Sequence, residues 1–276
     1  MSDLLYFDQF LIRYFFIFTF FGLFSCAHKE RHSEHPEFKK YFDKYAVSGS
    51  FVLFDPQENV YYHYNKDQFN KAYTPASTFK ICNSLIGLET GVIKDADFVI
   101  SWDSVVRPRA EWNQDQTLRQ AIENSTVWYY QELARRVGQK QMDYWIKKAD
   151  YGNHSTKGGI DKFWLEGELR ISPKQQLDFL IKLHDNKLPF SQKNMDIVKD
   201  IMIVRDTLNT VIHAKTGWGQ NGKEDIGWFV GYVEKGENVY YFANCLQTTD
   251  FNNEKFGPAR KEIVYDILDE LKILKR

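Results

Sequence analysis

Ser77 and Lys80 stand three residues apart in Thr74-Pro75-Ala76-Ser77-Thr78-Phe79-Lys80-Ile81, a spacing that puts two side chains on one face of a helix, about one turn apart. A serine hydroxyl beside a neutral amine is the pair needed for nucleophilic attack on an activated acyl group. Thr74 as N-cap and Pro75 at the first helical position would start that helix, leaving Ser77 in its first turn. Unpaired backbone N–H groups there favour the negative charge that develops during attack. Phe79, Ile81 and Leu85 give Lys80 an apolar setting, and desolvation lowers an amine's pKa toward that of a usable base.

Alone, Ser-x-x-Lys is a weak signal, because roughly one match per chain of this length arises by chance. A capped helix with a solvated Lys would explain it equally well. This is, however, the one Ser-x-x-Lys in the chain, and far downstream Lys215-Thr216-Gly217 closes a predicted strand. That triplet is similar to the one that penicillin-recognising enzymes place on the strand beside the nucleophile, where Lys and Thr engage a substrate carboxylate and Gly lets the backbone approach.

Six motifs follow one another in the order found in one family: Pro75 to Lys80, Ser125-Thr126-Val127, Tyr151-Gly152-Asn153, Trp164-Leu165-Glu166-Gly167, Lys215-Thr216-Gly217 and Gly227-Trp228-Phe229-Val230-Gly231. On these residues the chain resembles the class D (oxacillinase-type) serine β-lactamases over nearly all of its mature length. Ser-x-Val at Ser125, in place of Ser-Asp-Asn, separates it from class A.

The resemblance implies that Ser77 is acylated by a β-lactam and that Lys80 reacts with CO2 to give a carbamate (N6-carboxylysine), the base for both acylation and deacylation. It further implies that the indole N–H of Trp164 holds that carbamate and that Ser125 relays a proton to the departing lactam nitrogen. Val127 and Leu165 would wall the dry pocket. Lys215, Thr216, Gly217 and Arg260 would bind the substrate carboxylate, with the backbone N–H groups of Ser77 and Trp218 as the oxyanion hole. Read without the resemblance, Trp164 is a large core residue and Ser125 an N-cap for a helix beginning near Trp128. Arg260 at a predicted helix start opposes the helix dipole, which favours a functional reason for it. Tyr151-Gly152-Asn153 reads as a tight structural turn beside the cleft. The resemblance implies no metal and no cofactor beyond the CO2-derived carbamate. A D-alanyl-D-alanine peptidase or transpeptidase, or a β-lactam sensor that stays acylated, would use the same Ser, Lys and Lys-Thr-Gly.

The elements that must position these residues are legible as patterns. Ser48 to Phe54 and Val60 to Tyr64 are β-rich runs around Asp55-Pro56-Gln57-Glu58-Asn59, a hairpin signature. From about Thr74 to Asn186 the chain reads as helices broken by loops, among them Trp128 to Val137 and Pro173 to Asp185. Val211 to Thr216, Ile226 to Val233 and Val239 to Leu246 read as antiparallel strands. Arg260 to Leu274 carries apolar residues at helical spacing. The expected fold is therefore α+β: an antiparallel sheet built from N- and C-terminal strands, flanked by helices, with a helical second lobe and a cleft between them.

Composition sets the outer bounds. A chain of 276 residues, 43% apolar and 26% charged, is globular, and a formal net charge of −1 leaves no basic excess for nucleic acid, so the expected partner is a small molecule. Cys26, Cys82 and Cys245 are too few for a disulfide framework, and no His-Glu-x-x-His marks a metallohydrolase. Tyr14 to Phe24 is an apolar run too short to span a bilayer, preceded by Arg13 and closed by Leu23-Phe24-Ser25-Cys26. The reading is a signal peptide over 1–26 whose end resembles a lipobox, with Cys26 lipidated or cleavage nearby without lipid, a polar tether over 27–40, and a catalytic domain over 41–276. The protein would then be exported to the periplasm, free or lipid-anchored.

Overall fold

The structure, a computed structural model, describes residues 30–275. Its centre is a seven-stranded sheet in the order β1-β3-β2-β9-β8-β7-β6. The strands are β1 Arg31–Glu34, β2 Ser48–Asp55, β3 Val60–Tyr64, β6 Ile203–Thr207, β7 Thr210–Asn221, β8 Glu224–Lys235 and β9 Asn238–Thr248; β4 Val99–Ile100 and β5 Gln116–Thr117 form a separate small pair. The helices are α1 Lys39–Lys44, α2 Lys80–Glu89, α3 Leu118–Glu123, α4 Val127–Val137, α5 Gln139–Lys148, α6 Pro173–His184, α7 Gln192–Ile201 and α8 Phe256–Glu270. The α+β expectation holds, and β2 and β9, nearly two hundred residues apart in sequence, pair antiparallel from Ser48↔Gln247 to Phe54↔Tyr241.

Both faces of the sheet are covered. Trp228, Val230 and Tyr232 on β8 enter one core with the helical lobe, whereas Phe229 and Val233 enter the other with α1 and α8. A strand buried on both faces reads as a continuous apolar run, and its alternation serves two cores instead of core and solvent. In α8 the buried Ala259, Ile263, Val264, Ile267 and Leu268 close the second core.

Three expectations are corrected here. The polar tether over 27–40 does not extend that far: Arg31 to Glu34 pair in parallel with Val60 to His63, and Phe38 is buried in the second core. Backbone pairing at a sheet edge needs no apolar pattern, which is why a segment as polar as Arg31-His32-Ser33-Glu34 reads as unfolded. It also makes the sheet mixed, since β1 and β3 are parallel while the other pairs are antiparallel. The C-terminal helix begins at Phe256, so Arg260 lies in its second turn and the dipole argument for it lapses. The expected signal peptide and Cys26 lie outside the described residues.

Candidate active site

Ser77 lies in a 3-10 turn, Ala76–Phe79, that leads directly into α2. Thr74 is not its N-cap: the Thr74 hydroxyl donates to the carbonyls of Trp164 (3.2 Å) and Leu165 (3.4 Å), and the Ala76 N–H donates to Trp164 O at 3.0 Å. Three hydrogen bonds across some ninety residues thus tie the nucleophile's turn to the Trp164 segment. Ala76 has φ +47°, a left-handed conformation that is strained for a residue with a side chain. On the other side β7 presses close: a Cβ at Gly217 would sit 3.0 Å from Pro75 O and 3.2 Å from Thr78 Cγ2. That close approach is the physical content of the glycine in Lys-Thr-Gly.

Lys80 is fully buried, and its Nζ lies 2.8 Å from Ser77 Oγ, 2.8 Å from Ser125 O and 3.2 Å from Ser125 Oγ, with the Tyr130 ring centroid at 5.5 Å. No carboxylate pairs with it among the described residues. Desolvation foremost, then the charges of Lys215 and Arg109, hold its pKa well below the ordinary lysine range. A neutral amine in that position has a lone pair available to take the Ser77 proton.

Ser125 is not a helix cap. The N-cap of α4 is Thr126, and Ser125 adopts φ +54°. Its Oγ accepts from Lys215 Nζ at 3.0 Å, so one hydroxyl bridges the two lysines. Lys215 is buried, and desolvation, reinforced by Arg260, Lys261 and Arg109, pushes its pKa down to about 7. Arg260 donates from Nη1 to Gly217 O (3.0 Å) and from Nε to Gly257 O (2.9 Å), with its guanidinium 5.1 Å from the Trp218 ring centroid. Burial and Arg109 bring it down to about 10. Gly227 on β8 makes room for the Arg260 stem, since a Cβ there would meet Arg260 Cγ at 2.9 Å.

A cleft of about 410 Å³ is lined by Ser77, Ser125, Val127, Thr216, Gly217, Trp218 and Arg260. Lys215 borders both Ser125 and a neighbouring groove of about 500 Å³ that does not include Ser77. Trp164 is fully buried against Phe79 and Phe163, and its Nε1 has no hydrogen-bond partner among the described residues. A buried indole N–H ordinarily finds an acceptor; Trp164 packs on Phe79, the residue before the fully buried Lys80, so its orphaned donor fits an added anionic oxygen on that side chain. Tyr151 packs edge-on against Phe79, and Asn153 accepts from Arg170 N and donates to Glu168 O. The structural reading of that turn matches these contacts.

Sequence reasoning did not single out Arg109, Trp112 or Lys261, which line the same cleft, or Tyr130 beside Lys80. Arg109 and Trp112 stand three apart, the spacing of a cation resting on a ring, and their side chains do stack, at 5.2 Å. Tyr130 offers no such local signal.

The profile of the penicillin binding protein transpeptidase domain matches residues 49–269. Beta-lactamase OXA-5 of Pseudomonas aeruginosa is 43% identical over 247 residues, covering 88% of this chain and 91% of that protein. Regulatory protein BlaR1 of Bacillus licheniformis is 37% identical over 238 residues, covering 86% of this chain and 39% of that protein. Among solved structures, the class D β-lactamase YbXI from Nostoc is 44% identical and superimposes with a TM-score of 0.82, over 87% of this chain and 100% of that one.

Proposed function

The chain belongs to the class D serine β-lactamases of the penicillin-binding transpeptidase family, and on that footing we propose that it hydrolyses penicillin-type antibiotics through an acyl-enzyme on Ser77, with Lys80 carbamylated as general base. The observation that carries this reading is the fully buried Lys80 amine, without a carboxylate partner among the described residues and 2.8 Å from Ser77 Oγ; the orphaned N–H of Trp164, which packs on the adjacent Phe79, supports it. A carbamate on Lys80 would supply an anionic oxygen base in a dry setting, held by Trp164 Nε1. Such a group needs a neutral amine, which the burial of Lys80 favours.

Ser77 Oγ gives up its proton and attacks the lactam carbonyl; the C–N bond of the ring breaks and the acyl group stays on Oγ. The backbone N–H groups of Ser77 and Trp218 receive the developing oxyanion. Ser125 Oγ, bonded to Lys215 and Lys80, passes a proton to the departing nitrogen. Thr216 and Arg260 on the sheet side of the cleft hold the substrate carboxylate together with Lys215, which reaches the site through Ser125 Oγ, and Val127 lies on the lobe side. Water then attacks the same carbonyl carbon as it gives a proton to the base at Lys80; the C–Oγ bond breaks, the product leaves as the acid, and the proton returns to Ser77 Oγ. Exported to the periplasm, with Cys26 either lipidated or lost on cleavage, such an enzyme would confer resistance to β-lactams. Palmitate labelling in a bacterial host should mark Cys26 if the lipid anchor forms, and an unlabelled mature protein with another N-terminus would exclude it.

The similarity to BlaR1 favours a second reading, a receptor that is acylated and stays so. Steady-state exposure to a chromogenic cephalosporin separates the two. The hydrolase releases many equivalents of product per protein, whereas a receptor or a peptidase that keeps its acyl group releases about one.

A further inference from the structure

We infer that Arg109 is a specificity-determining residue that receives a second anionic group of the substrate, so that β-lactams with a carboxylate on the acyl side chain are favoured over their neutral counterparts. The inference rests on the acyl-transfer reading above and names the substrate class for that site. Arg109 lines the Ser77 cleft on the side of the helical lobe. Its guanidinium lies over the Trp112 ring, and its Nη1 donates to Asn124 O at 3.3 Å, the carbonyl to which Trp112 Nε1 also donates at 3.0 Å. Trp128 Nε1 in turn holds Trp112 O at 2.8 Å. A cation stacked and tethered in this way is oriented before any ligand arrives, which lowers the entropy lost on binding.

Among the described residues no carboxylate forms an ion pair with it. The nearby Arg107 is clasped by Asp103 through two bonds of 2.7 and 2.6 Å, whereas Arg109 makes no ion pair among the described residues, with Glu111 and Glu123 of the same cleft included. Instead its field acts on Lys80, Lys215 and Arg260. A β-lactam's ring carboxylate, taken by Lys215, Thr216 and Arg260, leaves Arg109 uncompensated on the other wall. A second carboxylate on the acyl side chain removes that excess, and a planar guanidinium suits it.

The test is the acylation rate constant kacyl/K, followed by quenched intact-protein mass measurement, for benzylpenicillin and α-carboxybenzylpenicillin, which differ by one carboxylate. It is measured for the wild type, Arg109→Gln and Arg109→Lys, at low and high salt. The dicarboxylate-to-monocarboxylate ratio should fall about three- to tenfold in Arg109→Gln and recover partly in Arg109→Lys. The wild-type ratio should also fall with added salt, because an accessible ion pair is screened. Effects of Arg109 on Lys80 or Lys215 act on both penicillins and cancel in the ratio. A ratio unchanged in Arg109→Gln, with both penicillins still acylating, overturns the inference alone. Failure of α-carboxybenzylpenicillin alone to acylate the wild type likewise overturns only the inference, whereas failure of both penicillins overturns the acyl-transfer reading and the inference with it.

Discussion

Lys80 and Lys215 are two buried amines joined through one hydroxyl, Ser125 Oγ, with no carboxylate between them. Both are held below the ordinary lysine range chiefly by desolvation, and their roles then diverge with pH. Acylation requires Lys80 without its ammonium proton, so kcat/KM should rise with pH through its lowered pKa. Carboxylate binding requires Lys215 with its proton, so kcat/KM should fall as pH rises past about 7. Lys215→Arg keeps the charge and should move the alkaline limb upward; a limb that stays in place would show that Lys215 does not set it. The linked stability has the sign of a depressed lysine. Between about 7 and the ordinary value of 10.5 the unfolded chain holds a proton at Lys215 that the folded chain does not, so folding stability should rise with pH across that window. Urea titrations at both ends of the window should show a steeper slope in the wild type than in Lys215→Met, which keeps only the part that the depressed Lys80 contributes. Ser77→Ala should abolish hydrolysis and covalent labelling while leaving the urea midpoint within about 0.5 kcal/mol, because it removes one partly exposed hydroxyl. Trp164→Phe keeps the ring packing but loses the N–H, a bond worth roughly 1.5–3 kcal/mol to a charged acceptor. The variant should accumulate acyl-enzyme and regain deacylation partly when bicarbonate is added, and deacylation indifferent to both changes would leave unmodified Lys80 as the base.

At the scale of elements, the site is where a 3-10 turn, the middle of β7 and the second turn of α8 meet, and small residues set the spacing. Gly227→Ala would push the Arg260 stem off β8. The same Cβ would meet the ring of buried Phe256 at 2.9 Å, so the thermal midpoint should fall as well, while acylation by penicillins weakens about tenfold through poorer carboxylate binding. Unchanged acylation, whatever the midpoint does, would reverse that assignment. Phe38→Ala should destabilise the fold by roughly 3–5 kcal/mol if the segment before β2 is part of the body, and denaturant curves that coincide with those of the wild type would return that segment to the status of a tether. The strands with alternating or continuous apolar runs were legible in sequence, and so was the order of elements. The strands β1 and β6 were not, because RHSE and IVRDT are short edge segments held by backbone pairing, with side chains largely exposed. The cap assignments for Thr74 and Ser125 failed for a related reason: both hydroxyls are taken by partners about ninety and forty-five residues away, and local pattern reports only local bonds.

At the scale of the whole molecule, pairing of β2 with β9 brings the two ends of the chain into one sheet, with the helical segment inserted between them. The motifs were legible because each is local, and their assembly was implied by family order. What sequence could not supply was the electrostatic setting, in which Arg109 presses on both buried lysines and Arg260 and Lys261 on Lys215. Three cations around one nucleophile repel each other, and the even net charge of the chain, −1 overall, conceals them. The central claim joins this setting to turnover: a neutral, buried Lys80 becomes a carbamate and so allows the acyl group on Ser77 to be released. Intact-protein mass measurement over time after a brief excess of penicillin, with and without bicarbonate, tests it most directly. The account predicts a penicillin adduct on Ser77 that vanishes within turnover time when bicarbonate is present and persists when it is removed. An adduct equally persistent under both conditions, or none on Ser77, would contradict it.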